Sequence, residues 1–257
     1  MMGRVMRVSR LEIATVSNVG RRRRNNEDFH RVAVYPTARG NLILAAVADG
    51  MGGSEAGEWA SKLAIEGLTE AVRAYTAQLE TGRPAVPLER VMDKAFRLAQ
   101  HRILQEGERA PERKGMGTTL TAMLLNEWNK SGVIGHVGDT RAYRRREGRW
   151  QQLTTDHSWV AQQVRQGLLT PHQAETHPWR HMLTQALGLA EVKHDLMSIS
   201  LAPDETIVLT TDGLYNLVLP EEWQTTLDLQ SSLEHWVGLA LERGGTDNIT
   251  AVAARWR

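Results

Sequence analysis

The sequence predicts a layered α+β protein, and three observations carry that reading. Segments with helical spacing and short apolar runs are segregated along the chain more than they alternate, which argues against a doubly wound sheet. The run from Asn41 to Ala48 is continuously apolar and stops abruptly at Asp49 and Gly50, as a strand buried on both faces does. Beyond Pro111 the apolar segments shorten and are punctuated by Gly and Asp, as antiparallel hairpins require. The 257 residues are 41% hydrophobic and 24% charged, enough to bury a sizeable core. No repeat of 20 to 50 residues and no low-complexity tract divides them, so a single domain over 1–257 is expected.

In chain order, a first strand is expected around Leu11 to Val16, then the apolar strand at Asn41 to Ala48. From Ser54 to about Leu79, Ala60, Leu63, Ala64, Leu68, Ala71, Val72 and Tyr75 recur at three and four residue spacing, which predicts a helix with Ser54 as its cap. The segment TGRPAVP breaks it, and Val91, Ala95, Leu98, Ala99 and Ile103 place a second helix from about Leu88 to Gln105. Strands are expected at Thr118 to Leu125, Gly132 to Val137 and Arg141 to Arg146. A short helix at Asp156 to Gln166 leads into a polar, His-rich stretch with Pro171 and Pro178 that reads as a surface flap. Strands at Ile207 to Thr210 and Ile249 to Ala253 enclose a helix near Leu233 to Leu241.

Composition also excludes. A formal charge of +1 gives no overall electrostatic reason to bind nucleic acid or an anionic membrane, so any basic site is local. With no cysteine, disulfides, thiolate metal sites and a cysteine nucleophile are impossible. The start, MMGRVMRVSRLEIATV, lacks the apolar core and cleavage site of a signal peptide, and no stretch approaches the ~18 apolar residues of a membrane span. A cytoplasmic monomer is expected.

The chemically informative feature is a set of acids at the ends of apolar runs: Asp28 after NNE, Asp49 after LAAVA, Asp139 after IGHVG, Asp212 after IVLTT and Asp247 after GGT. One Asp beside a Gly is ordinarily a turn residue. Five together change that reading: four follow expected strands or their immediate turns, where a rigid sheet could aim several carboxylates at one point, and such a cluster would repel itself unless cations sat among the acids. Oxygen ligands without cysteine favour Mg²⁺ or Mn²⁺ over a structural zinc site. After Asp49, the glycines Gly50, Gly52 and Gly53 let the backbone approach an ion or its water, though a tight strand-to-helix turn would need them too. Arg21 to Arg24 stand just ahead of Glu27 and Asp28. Either they form a solvated basic loop, or one guanidinium lies beside the acids and, being matched to phosphate oxygens, points to a phosphate ester. Nucleic-acid binding by these four is a further reading, but only Phe29 and Tyr35 lie close enough to supply stacking.

Taken as a set, the motifs resemble the PPM family of metal-dependent serine/threonine protein phosphatases, the type 2C class, in its compact bacterial form. The segments are SNVGRRRRNNED (17–28), VADGMGGSEAGEWAS (47–61), GMGTTL (115–120), GHVGDTRAY (135–143), LTTDHSWV (153–160), HPWRHMLTQALG (177–188), LTTDGLYNLV (209–218) and GGTDNIT (244–250), in the family's order from end to end. The resemblance implies a four-layer α-β-β-α sandwich, two antiparallel sheets flanked by helix pairs, with metals in a channel at one edge. It implies Mn²⁺ or Mg²⁺ as cofactor, two ions in the core site. Asp49 is then the bridging carboxylate, Gly50 a carbonyl ligand, Asp212 and Asp247 ligands of the first ion, and Glu27 with Asp28 ligands of the second, directly or through water. Asp139 with Asp212 would bind the third ion common in bacterial members, and Arg23 falls at the phosphate-binding arginine, a choice resting on position because its neighbours are also Arg.

By the same resemblance, a metal-bridging hydroxide attacks phosphorus in line while Arg23 neutralises the transferred group. The implied partners are phosphorylated proteins and the bacterial Ser/Thr kinase whose action is reversed. A non-catalytic relative would be expected to have lost ligand acids, and none is missing here; a nuclease or phosphodiesterase would need a basic stripe beyond Arg21 to Arg24 and Arg144 to Arg146. The sequence departs from family patterns at Asn18, Met51 and Ser54, none of them a metal ligand in the family. His136 and His157 are candidate proton donors by location only, and a structural role is favoured for both. The flap, about 158–184, contains His172, His177 and His181, whose spacing does not demand zinc, and Trp159 and Trp179, which are expected to pack it down.

Overall fold

A computed structural model describes residues 2–225 and 228–257, the side chains of Met2 and Ser54 excepted. The chain runs through β1 (Met2–Val8), β2 (Leu11–Asn18), β3 (Asp28–Thr37) and β4 (Gly40–Met51) into two long helices, α1 (Ser54–Glu80) and α2 (Leu88–Arg109). It continues with β5 (Gly117–Thr118), β6 (Leu120–Asn126), β7 (Ser131–Val137), β8 (Arg141–Arg146) and β9 (Arg149–Gln152). Short helices α3 (Trp159–Arg165) and α4 (Pro171–Thr176) precede β10 (Asp195–Ser200), β11 (Thr206–Thr210), α5 (Asp212–Tyr215), α6 (Leu229–Glu242) and β12 (Ile249–Trp256).

The strands form two antiparallel sheets, ordered β1-β2-β12-β11-β8-β9 and β10-β7-β6-β4-β3, with β5 paired to the end of β4. Side-chain alternation explains the stacking. From β4, Ile43, Ala45 and Val47 point between the sheets, where they meet Leu11, Ile13, Leu209 and Val252. Leu42, Leu44, Ala46 and Ala48 point the other way, against α1 and α2. Burial on both faces is why this strand reads as an unbroken apolar run. The sheet of β12 behaves alike: Ala251 and Ala253 pack under α5 and α6 with Trp236 and Leu233, while Val252 and Ala254 face the sheet of β4. The result is the expected four-layer sandwich, its helix pairs unequal because α5 has four residues and α6 fourteen.

Several boundaries shift, for local reasons. The first long helix has Gly53 at its N-cap position and starts at Ser54, whose side chain, expected to cap, lies outside the described ones. Helix α3 starts at Trp159 rather than Asp156, because the Ser158 hydroxyl accepts from the Ala161 amide and fixes the start there. Helix α6 begins at Leu229, a turn before the expected Leu233, with Asp228 capping the Ser231 amide. Strands β1, β3, β9 and β10 were not expected. All but β3 keep most side chains in water, and all four either end a sheet or sit at its margin, so no two-residue alternation marks them.

Candidate active site

The acids that the sequence placed on strand ends meet where the two sheets come together at one end of the sandwich. Asp28 opens β3, and Asp49 lies two residues before the end of β4, which runs past the expected stop because Gly50 and Met51 pair with β5; the ladder sets Asp28 and Asp49 directly opposite each other. Asp212 follows β11 and Asp247 precedes β12, neighbouring strands of the other sheet. A hydrogen bond spans the two sheets here, from the Thr211 hydroxyl to Asp28 Oδ2 at 2.8 Å. Asp139 lies in the turn from β7 to β8, the connection between sheets.

The backbone around the acids is tightly fixed. The Asp49 amide donates to Thr119 Oγ1 at 3.0 Å, while its carbonyl accepts from the Thr119 amide at 2.9 Å and the Thr118 hydroxyl at 2.8 Å. The Glu27 amide donates to Asn248 Oδ1 at 2.9 Å, and the Glu27 carbonyl accepts from the Gly50 amide and the Ser61 hydroxyl. Asn248 in turn donates to the carbonyls of Val19 and Asn25, so one side chain from the GTDN segment shapes the loop that carries the arginines. Glycine is required where α1 meets β4: a Cβ on Gly50 would lie 2.0 Å from the Gly57 carbonyl oxygen, and one on Gly57 would lie 2.3 Å from Glu27 Oε2. Without those side chains, the Glu27 carboxylate has room beside Gly50.

Electrostatics shows that the acids share one field. Burial pushes the Asp28 carboxyl up to about 7, with Asp212 and Asp247 adding to the rise and hydrogen bonds from Thr250 and Thr211 opposing it. Burial carries Asp139 to about 8, helped by Asp212 and Asp156, and Asp212 to about 6, helped by Asp247. Asp49 is raised well above the ordinary carboxylate range by burial and then by Asp28, Asp212, Asp139 and Asp247, and burial also raises Glu27. Asp28 Oδ1 and Asp212 Oδ1 are buried without a hydrogen-bond partner. Buried acceptors that raise one another and lack donors have the chemistry of a cation site.

Among the described residues, no three or more His, Asp or Glu side chains are grouped so that they alone could hold a metal ion. A hard ion of the Mg²⁺ type needs no such group, since it keeps several waters and takes one or two carboxylates. The all-oxygen donor set, the two orphaned oxygens and the cleared space beside Gly50 fit such ions.

Of the four consecutive arginines, Arg23 reaches the acids: its Nη2 lies 2.7 Å from Asp247 Oδ2, with the guanidinium half exposed. That hydrogen bond raises its pKa, with Glu27 and Asp49 contributing through their charges. Arg141 forms two bonds to Asp156, 2.8 and 2.7 Å, and stacks 3.8 Å over the Tyr215 ring, whose hydroxyl donates to the Asp139 carbonyl at 2.8 Å. Asn248, Thr118, Thr119, Thr211, Arg141 and Tyr215 went unnoticed as supports because ordinary polar residues next to a motif give no signal in sequence.

Both candidate histidines are buried and held by hydrogen bonds. His136 is buried between Thr121 Oγ1 and the Thr155 carbonyl, and desolvation pushes it down to about 4, leaving it neutral. His157 bonds Asp195 and the Gly138 amide. In the flap, Trp159, His177 and Trp179 form an aromatic cluster with ring centres 4.9 to 5.8 Å apart, although Trp179 stays half exposed. His172 lies near Glu175 instead, and the three flap histidines form no metal group among the described residues.

A family model described as Protein phosphatase 2C matches residues 20–250. The serine/threonine protein phosphatase PstP of Mycobacterium tuberculosis is 38% identical over 247 residues, which cover 95% of this chain but 45% of that protein. The chain thus spans less than half the length of that relative. A putative protein phosphatase 2C-type protein of Streptococcus pyogenes is 34% identical, covering 93% of this chain and 95% of its own. The crystal structure of the PstP catalytic domain in complex with two manganese ions superposes with a TM-score of 0.77 at 35% identity, covering 95% of this chain and 97% of that one.

Proposed function

The chain belongs to the protein phosphatase 2C family, and from that premise we propose that it is a metal-dependent protein phosphatase acting on phosphoserine and phosphothreonine monoesters. The observation that carries the reading is the convergence of Asp28, Asp49, Asp139 and Asp212 on one desolvated place, with Asp247 paired to Arg23 at its rim.

In this reading Mn²⁺ or Mg²⁺ would be held by Asp49, the Gly50 carbonyl, Asp212 and Asp247, and by Glu27 and Asp28, with a third ion at Asp139 and Asp212. When bound, the ions lower the pKa of water and neutralise phosphoryl charge. The chain's own residues do the rest. Arg23 offers a planar, always charged fork to the phosphoryl oxygens, orienting the ester and offsetting charge as it builds. Thr118 and Thr119 hold Asp49 by its backbone, leaving its carboxylate free to face the site, and Thr211 fixes the direction of Asp28. Such rigidity matters because catalytic help comes from groups already in position.

The domain would comprise the whole 1–257 sequence, with residues of about 158–184 as a flap beside the site. Its partners would be phosphorylated proteins and the Ser/Thr kinase it opposes, and it would act as a cytoplasmic monomer. No helix among the described residues is long and apolar enough to cross a membrane.

The test is hydrolysis of a phosphothreonine peptide and of an aryl phosphodiester, each with Mn²⁺ and with chelator. Turnover of the monoester alone, abolished by chelation and reduced ~10³-fold or more by Asp49→Asn, is expected from the several kcal/mol that the ions contribute. Faster turnover of the diester, or full activity of Asp49→Asn with Mn²⁺, overturns it.

A further inference from the structure

We propose that His157 is a positioning residue for Asp139, a strut from β10 to the Gly138 amide that also fastens both stems of the flap to the acid cluster. This rests on the reading of Asp139 as an ion ligand.

Two hydrogen bonds in opposite directions join His157 to the residue before Asp139. The His157 amide donates to the Gly138 carbonyl at 2.7 Å, and the Gly138 amide donates to His157 Nδ1 at 3.3 Å. The far side of the ring reaches Asp195 Oδ2 at 3.2 Å from Nε2. A carboxylate only accepts, so Nε2 carries the proton and Nδ1 is left with the lone pair that Gly138 uses. The side chain is 10% exposed and its ring packs 4.8 Å from the His136 ring, so it has little freedom to turn.

Gly138 is held from its other side as well. It has φ +104°, and a Cβ there would lie 2.5 Å from Thr119 Cβ. Thr119 is the residue whose amide and hydroxyl grip Asp49. The turn carrying Asp139 is therefore clamped between the support of Asp49 and the imidazole of His157.

The flap starts at the same residue. The His157 carbonyl accepts from the Thr184 amide at 2.7 Å, the Trp159 amide donates to the Met182 carbonyl at 2.8 Å, and Ser158 bridges Leu183. Outgoing and returning stems thus meet one residue from the contact with Gly138. Farther along the return, Leu187 exchanges two backbone hydrogen bonds with Thr118, which also holds the Asp49 carbonyl. Partners that orient a ligand-bearing element affect metal affinity nearly as the ligands do.

Two substitutions separate the ends of the strut. His157→Asn keeps a side-chain acceptor at the Nδ1 position and abandons Asp195, whereas His157→Gln keeps a donor toward Asp195 and abandons Gly138. Calorimetric Mn²⁺ titration of the chelator-treated full chain is the readout. His157→Gln is expected to weaken the weakest Mn²⁺ site roughly 10- to 100-fold, with faster hydrogen exchange at the Gly138 and Thr184 amides, while His157→Asn, which keeps the bond to Gly138 and loses only the brace on β10, weakens it less. Asp139→Asn, run alongside, should lose that site. If Asp139→Asn leaves the titration unchanged, the ligand reading fails. If Asp139→Asn loses the site but the two His157 variants bind Mn²⁺ alike, the strut is overturned. Nitrogen NMR of the wild-type ring needs no variant: the Nε2–H tautomer is expected, and an Nδ1–H tautomer overturns the proposal.

Discussion

Stripping divalent ions from this chain should destabilise it, and the loss should grow as pH rises. Asp28 stands at about 7 against 3.8 for an ordinary aspartate, first because it is buried and then because Asp212 and Asp247 are near. A carboxyl raised in the folded state contributes fully below its unfolded pKa and loses that contribution as pH climbs through the folded value. The window is therefore about pH 4 to 8, the opposite sense to acid denaturation. At 1.36 kcal/mol per pH unit, the interval from 3.8 to about 7 corresponds to about 4 kcal/mol for Asp28 alone. For a domain of this size ~1 kcal/mol moves Tm by ~2–4 °C, so the loss amounts to roughly 8–16 °C. Ions seated among the acids cancel the repulsion, and their own binding strengthens as the ligands lose protons. Scanning calorimetry with Mg²⁺ and with chelator, at pH 5 and pH 8, isolates the effect because groups remote from the site cancel in the difference. Because pH 5 already lies above 3.8, about a third of that loss is in place there, and the Mg²⁺-minus-chelator gap in Tm is expected to be wider at pH 8 by the remaining two-thirds, roughly 5–10 °C. A gap independent of pH, or wider at pH 5, would refute the claim that these acids share a buried field.

Arg23→Ala should lower kcat/KM for a phosphothreonine peptide ~10- to 100-fold, the loss of charged hydrogen bonds worth ~1.5–3 kcal/mol, whereas Arg22→Ala should change it little; equal effects would mean that the run acts only as diffuse charge. Glu12 is 1% exposed and accepts from Arg255 and Arg257 at 2.7 and 2.9 Å, which ties β2 to the last strand. Burial alone would raise its carboxyl, but those hydrogen bonds outweigh it and hold the pKa down, so the contribution is present above the ordinary glutamate range and lost as pH falls. Glu12→Gln should cost ~3–5 kcal/mol at neutral pH, as breaking a buried ion pair does, with chemical denaturation as the measure and a change under ~1 kcal/mol counting against it.

What could be read from the sequence follows how much of its environment each residue records in its own neighbourhood. Strand β4 was legible because both faces are buried, so every position from Leu42 to Ala48 had to be apolar. Strand β10 was not, since five of its six residues are exposed and it is held by hydrogen bonds to β7, which any sequence can make. The acids stood out because a carboxylate at the end of an apolar strand needs a reason. Their supports did not: Asn248 looks like a turn residue until its amide is seen bridging Glu27, Val19 and Asn25. Four adjacent arginines were indistinguishable in one dimension, and only the path of the loop brings Arg23 rather than its neighbours to Asp247.

The most direct measurement is anomalous X-ray diffraction from crystals of the full chain grown with Mn²⁺. Two strong peaks are expected beside the Asp49 carboxylate, within coordination distance of the Gly50 carbonyl and of one or more of Asp28, Asp212 and Asp247. Peaks absent from that end of the sandwich, or Mn²⁺ bound only at the flap histidines, would contradict it.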